Sequence, residues 1–437
     1  MTFRAHSVDE THRGVVEEAH LEVIYSPEAL VDLRQRLRRF DATRDPAALW
    51  PGLDERARVA AAREIERVTR GVLHGERAVA LDPAGVHTPY ALSIAGHTTG
   101  MGPLLGFWIE TGAVTTTADA AFQFALHIAH ARRRIARIDR EVAPALDALL
   151  ASGVQPVVLK GYHTAHAFFD EPAVRRMADV DLYIAPEQIT AAECALARAG
   201  FVEVGPRLRA HKSEWIGPGV DPRAFSVEFS DARTKWNLEL HTSLDRIFHA
   251  GAVARLDDAH GFVPFELHGR SLRAQSAEAL LLTLACHCSE ELGSSRLLRL
   301  VEIVRVIRAG LDWDAFLALL RRTNVARFTY PALALVNALA AGTVDARVIA
   351  LAASQSTWAA RHTVARLVPA GGAIDELGVL RQVMWMRGPL GFAHRALRLA
   401  WPWQYGGPAS SSIPGWRIRM RQLRAGVLSF RAPDERQ

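Results

Sequence analysis

Cysteine is nearly absent from this chain of 437 residues: Cys194, Cys286 and Cys288 are all there are. Three thiols cannot form a disulfide framework, and an odd count fits a reducing cytoplasm. Lysine is equally scarce. Lys160, Lys212 and Lys235 stand against 49 arginines, the remainder of 52 basic residues. The plain reading is codon bias in an Ala/Arg-rich genome; the sharper one is that a lysine kept where all three fall, between 160 and 235, has a task. The net charge is only +5, and the longest basic run is Arg132-Arg133-Arg134, so charge gives no case for nucleic-acid binding. Long hydrophobic runs are missing too. The longest stretches free of Asp, Glu, Lys and Arg, 83–109, 328–344 and 399–416, are all interrupted by Gly, Pro, Asn, Ser, Thr or His, so no membrane span is expected. The opening residues, MTFRAHSVDETHRGVVEEAH, hold no apolar segment, and no signal peptide is expected there. A soluble, cytoplasmic protein is the expectation.

What is present is material for a core: 49% of residues are apolar, over a length that suits two to three domains of about 150 residues. Residues 1–117 read as a mostly helical region. Ser26-Pro27-Glu28 carries a helix-start signal, 54–69 has amphipathic spacing, and 73–112 is uneven and rich in Gly, Pro, His and Thr. A long amphipathic helix is predicted over 118–152, with Pro144 inside it and Gly153 ending it. The middle then changes period. Strands are predicted at 156–159, 179–184, 201–204, 224–229 and 236–244, with helices from Gly161 to about 169 and over 186–199. Residues 118–270 therefore read as an α/β core, 271–400 as a helical companion domain, and 401–437 as a basic tail.

Within the core, one set of residues carries chemistry. In a strand, residues two apart face the same way, so Asp179 and Asp181 project together. Two carboxylates that close repel unless a cation lies between them, and hard oxygen ligands suit Mg²⁺. Glu239 adds a third carboxylate from a later strand, with Asn237 and His241 on its own face; Glu228 competes with it for that place. Three carboxylates on neighbouring strands can hold one or two Mg²⁺ ions for phosphoryl or nucleotidyl transfer. The strand-Lys160-Gly161-helix element supplies the other half. Gly161 admits a phosphate close to the backbone, the helix beginning at Tyr162 directs its N–H groups there, and Lys160 and Arg175 are the nearest cations.

Leu159-Lys160-Gly161, Arg175, Asp179-Val180-Asp181-Leu182 and Leu238-Glu239-Leu240-His241 together resemble the uncharacterised nucleotidyltransferase family of the polymerase-beta superfamily. The resemblance extends over about 118–341 and includes 272–287, the helix 297–308 and Leu311-Asp312-Trp313. It implies a mixed-sheet α/β (α+β) nucleotidyltransferase core between N-terminal and C-terminal helical regions, using an NTP and Mg²⁺ or Mn²⁺. By the same resemblance, Asp179, Asp181 and Glu239 are catalytic metal ligands, and Lys160, Gly161, Tyr162, Arg175 and His241 lie on the nucleotide. The chain departs from the family pattern in two places: Lys160-Gly161-Tyr162 stands where Gly followed by Gly or Ser is usual, and Glu302 where an aspartate is usual. The implied reaction is attack by an acceptor hydroxyl or phosphate on the α-phosphorus of an NTP. A small molecule is the preferred acceptor, ahead of a peptide and then RNA; the peptide gains weight because some relatives are associated with ribosomal peptide tailoring, a natural-product biosynthesis. Two other readings stand beside this one: a catalytically silent binding module, and an RNA-modifying, toxin-like transferase.

Other clusters read more plainly. His163, His166 and Asp170 have a helical spacing that zinc could use, but ordinary packing is preferred. Cys286-His287-Cys288 looks metal-like, yet positions two apart on a helix diverge, so a buried helix with two apolar thiols is preferred, and His287 lining a cleft between domains is the lesser reading. Gly100, Gly102 and Gly106 follow no strand and read as a loop. The basic segment 417–424 reads as a solvated helix, with Trp401, Trp403 and Trp416 packing the tail.

Overall fold

The computed structural model describes residues 52–204, 211–218, 236–248, 252–259, 261–292 and 297–370, with a few isolated positions besides. The signal at 26–28, the predicted strand 224–229 with Glu228, Lys235, most of the helical pattern at 379–399 and the tail 401–437 lie outside the described residues.

The N-terminal region is helical. Helix α1 (Glu55–Leu73) buries Ala61, Ala62, Ile65 and Val68 along one stripe. Two short parallel strands, β1 (Val79–Ala80) and β2 (Val114–Thr115), bracket helices α2 (Pro89–Thr99) and α3 (Gly102–Glu110). Here the structure corrects the loop expected at the three glycines. Gly100, at φ 77°, ends α2 in the left-handed conformation, and Gly102 and Gly106 sit inside α3. A Cβ on Gly106 would lie 2.4 Å from the Phe124 carbonyl oxygen, and one on Gly102 would lie 2.7 Å from His127 Nδ1. These glycines let α3 lie directly against the next helix, and packing overrides their weak helix propensity. That next helix, α4 (Ala118–Ala151), runs 34 residues, capped by the Thr117 hydroxyl, with Pro144 inside it.

The central sheet has seven strands, in the order β10 (Phe262–Leu267), β11 (Arg270–Gln275), β3 (Val157–Val158), β4 (Asp179–Tyr183), β7 (Asn237–His241), β6 (Lys212–Ile216) and β5 (Val202–Glu203). Strand β3 leads into helix α5 (Lys160–Phe168), and β4 into α6 (Ile189–Arg198). Strands β5, β6 and β7 complete one side. A two-stranded ribbon of β8 (Arg246–Ile247) and β9 (Val253–Ala254) follows, and then the hairpin of β10 and β11 closes the other side. Pairing is mixed: β4 runs parallel to β7 and antiparallel to β3. Val158, Val180, Leu182, Leu238 and Leu240 face α4 and α6, in one core with Val142, Leu146, Leu149, Ala192 and Leu196.

The opposite face of the sheet meets helices. Helix α7 (Ala277–Glu290) starts at Ser276, whose side chain accepts from the Ala279 N–H, and α8 (Leu297–Arg308) packs beside it. Helices α9 (Trp313–Thr323), α10 (Ala326–Leu339), α11 (Ala346–Gln355) and α12 (Trp358–Val364) complete this layer. Its core is continuous with that of the N-terminal helices: Ile65, Leu81 and Leu104 belong to the same buried cluster as Leu281, Val304 and Leu333. Among the described residues, no helix is long and apolar enough to cross a membrane.

Candidate active site

Alternation along two parallel strands builds the site. Val180 and Leu182 of β4 point into the apolar core, which turns Asp179 and Asp181 to the opposite face. Strand β7 repeats the pattern: Leu238 and Leu240 are inward, leaving Asn237, Glu239 and His241 on the face that carries the aspartates. The register sets Asp181 beside Glu239 and Asp179 beside Asn237. Asp181, Glu239 and His241 offer ligand atoms that all lie within 4.8 Å of one another, and Asp179 lies one pair further along the same strand face.

Nitrogen side chains already stand against these carboxylates. Lys160 Nζ is 2.8 Å from Asp181 Oδ1, and His241 Nε2 is 2.7 Å from the same oxygen. Lys212, on the neighbouring β6, reaches Glu239 at 2.8 Å and Glu214 at 3.1 Å. Lys160 opens α5 at φ 41°, a left-handed conformation that L side chains seldom adopt, and this turn carries its ammonium over the end of β4.

Burial and like charge act on the two aspartates in opposite proportions. Asp179 is pushed up to about 6, first by burial and then by the charges of Asp181 and Glu239. Burial opposes the charge on Asp181 as well, but Lys160 and His241 outweigh it and hold that carboxyl well below its usual range. Lys212 is raised: burial works against its charge, and Glu239 and Glu214 more than offset that. A strand face where burial and neighbouring carboxylates together raise one carboxyl toward neutrality has a deficit of positive charge. Its oxygen donors fit a hard divalent cation such as Mg²⁺, and Asp179, Asp181 and Glu239 are the residues that could hold one.

The rest of the expected phosphate apparatus is arranged differently. Arg175 is committed to Glu302 of α8, with Nε and Nη2 each 3.0 Å from a different carboxylate oxygen, while Nη1 donates to the Arg176 carbonyl at 2.7 Å. Thr164 also bonds Glu302. Burial lowers the affinity of Arg175 for its proton, but Glu302 raises it by more, and the guanidinium stays charged. Gly161 makes room for that pair: a Cβ there would sit 2.7 Å from Arg175 Nη1. The Tyr162 ring turns the other way, and its hydroxyl donates to Asp139 Oδ1 at 2.7 Å. Only the backbone of Tyr162 is left to face the site, in the first turn of α5.

Two adjoining cavities, of about 390 and 320 Å³, open between the sheet and helices α7 and α8, and both are lined by Lys160, Asp179, His287, Glu291 and Arg299. His287 thus lines the cleft, which was the lesser of its sequence readings, and Cys286 and Cys288 are buried on either side of it. Burial, followed by Arg246 and Arg299, drives His287 well below its ordinary value, so it is a neutral imidazole. Arg246 and Arg299 carry no sequence signal as site residues, and Lys212 carries one only through the scarcity of lysine. The alternation Lys212-Ser213-Glu214 is masked by the Gly- and Pro-rich residues around it. The helical face His163, His166, Asp170 does not assemble. Helix α5 ends at Phe168, Asp170 pairs with Arg305 at 2.9 Å, and the His163 ring packs edge-on to Phe168 and Phe265.

Comparison with known families bears directly on this arrangement. The family model described as "Uncharacterised nucleotidyltransferase" matches residues 99–341, which span the sheet, both strands of the acidic face and helices α7 to α10. No curated protein and no solved structure matched the chain. The chain belongs to this nucleotidyltransferase family and is a transferase of that kind.

Proposed function

We propose that this member of the family moves an NMP group from an NTP to a hydroxyl or phosphate oxygen of an acceptor, with Mg²⁺ or Mn²⁺, in the cytoplasm. The observation that carries the reading is the placement of Asp179, Asp181 and Glu239 on one face of two adjacent parallel strands, over a cleft that Lys160 enters. In the proposed step the acceptor oxygen bonds to the α-phosphorus as the bond to the bridging oxygen breaks. That electron pair leaves with pyrophosphate, and the hydroxyl proton passes to a carboxylate, for which Glu239 is our choice. A divalent cation held by the three carboxylates would supply charge neutralisation at the phosphates. Lys160 and the first-turn N–H groups of Gly161 and Tyr162 bind and orient the triphosphate, and positioning supplies much of the rate. Arg175 acts here through structure: tied to Glu302 beneath Gly161, it fixes the segment before β4 against α8. The acceptor is proposed as a small molecule, with a peptide next.

The test is incubation of the pure protein with each NTP, labelled at the α- or the γ-phosphorus, and a fractionated cell extract. The expected result is label from the α-position alone, in a small-molecule or peptide fraction, reduced about 100-fold or more by Asp181→Asn or Glu239→Gln. Label arriving from the γ-position, or undiminished in both variants, would sink the proposal. Label in RNA would keep the reaction and replace the acceptor.

A further inference from the structure

A second cluster, on the far side of α5 from the acidic strand face, gathers three potential ligands from three elements. Asp139 comes from the middle of α4, His166 from the last turn of α5, and His268 from the turn joining β10 to β11. Their ligand atoms lie within 4.8 Å of one another. His166 Nε2 is 3.2 Å from Asp139 Oδ1, and His268 Nε2 is 3.5 Å from the same oxygen. The two imidazoles meet edge to face, with centroids 5.1 Å apart.

The distances fit a ligand set. A close imidazole–carboxylate hydrogen bond stands at about 2.7–2.9 Å, as the His241–Asp181 contact at 2.7 Å does. Ligands on a tetrahedral ion with bonds of about 2.0–2.1 Å stand about 3.3–3.4 Å apart. The two separations at Asp139 bracket that value. His166 Nε2 is moreover a buried nitrogen with no aligned hydrogen bond, on a side chain 9% exposed. Leaving such a nitrogen unsatisfied is costly, and a cation at the shared point removes the deficit.

The surroundings have the form of a supported metal site. The Tyr162 hydroxyl donates to Asp139 at 2.7 Å and fixes its orientation, as outer partners of metal ligands do. His268, half in solvent with its side chain 41% exposed, leaves a route for entry and room for a water as fourth ligand. It holds φ 49° beside Gly269 at φ 75°, in a two-residue turn where Asn-Gly is the favoured pair.

We propose that Asp139, His166 and His268 form a binding site for a divalent transition ion of the Zn²⁺ class, separate from the Asp179/Asp181/Glu239 face. Two imidazoles and one carboxylate select Zn²⁺ over Mg²⁺. The ion would clip the β10–β11 turn and α4 to the helix whose opposite end presents Lys160.

The test is equilibrium dialysis of the chelator-stripped full chain against Zn²⁺ in excess Mg²⁺, with Co²⁺ as a spectroscopic probe of tetrahedral coordination. Expected are one Zn²⁺ per chain and a tetrahedral Co²⁺ spectrum, both kept by Asp181→Asn/Glu239→Gln. His268→Asn should weaken binding about 100-fold or more, and Tyr162→Phe about 10-fold. Asn is accepted at this exposed left-handed position, so His268→Asn keeps the fold, checked by an unchanged melting curve without metal. Zn²⁺ should raise Tm in the wild type and not in His268→Asn. Equal binding by wild type and His268→Asn, or loss of the Zn²⁺ in Asp181→Asn/Glu239→Gln, overturns the proposal.

Discussion

Single residues here answer to their neighbours' charge more than to their own type. Asp179 and Asp181 sit two apart on one strand, yet one is pushed up to about 6 and the other is held well below its usual range, because Lys160 and His241 both stand on Asp181. The sequence made the pairing legible, since a period of two admits only one shared face. It left the asymmetry hidden, because Lys160, His241 and Lys212 reach the carboxylates across three other elements. The asymmetry has a consequence for stability. A carboxyl raised on folding binds its proton more tightly in the native state, so its contribution is full below about pH 4, falls as pH rises toward 6, and stays low above that. Asp179→Asn should therefore stabilise the protein at pH 8, on the order of 1–3 kcal/mol, and bring no gain near pH 4. Urea unfolding at the two pH values measures this, and an equal shift at both would show that the crowding of Asp179 is not electrostatic.

At the level of elements, the hinge of the site is the contact between α5 and α8. Arg175 and Glu302, 14% and 1% exposed at their side chains, form a buried bidentate pair under Gly161. Removing one partner strands the other charge, so Glu302→Ala should cost about 3–5 kcal/mol, and Arg175→Met/Glu302→Met should recover most of it. Urea midpoints of the single and double variants decide this; a double variant no better than Glu302→Ala would mean the pair contributes beyond self-compensation. Elements with a clean period were readable from sequence: α1, α4, β4, β7 and the start of α7 at Ser276 all stand where their patterns put them. Those that were not readable share a cause. Strand β10 lies at the sheet edge with Val263 and Pro264 exposed, so its alternation is blurred, and its turn is His-Gly. Helix α3 holds two glycines that only the contact with α4 explains. The role of Arg175 was likewise out of reach, because its partner lies 127 residues away.

For the molecule as a whole, the N-terminal helices and the helices after the sheet share one core, and the Ala370 N–H donates to Glu66 Oε2 at 2.8 Å to tie the two ends together. Helix α7 runs through the middle of that core and carries two of the three thiols. Cys286 and Cys288 are buried, with Cys286 pushed up to about 12 by burial, whereas Cys194 is exposed. A thiol reagent should titrate one cysteine in the native protein and three in denaturant, and rapid native reaction of all three would show that α7 is not enclosed. The sheet beneath α7 has one hydrocarbon face and one ionic face, divided residue by residue along β4 and β7. Point substitutions can therefore reshape the groove while leaving the scaffold alone. The loss or gain of one residue within Asp179–Tyr183 would exchange the two faces, sending carboxylates into oil and leucine into the groove. Descendants of this sequence are free to vary in the chemistry of the groove, but not in the length of the strands beneath it.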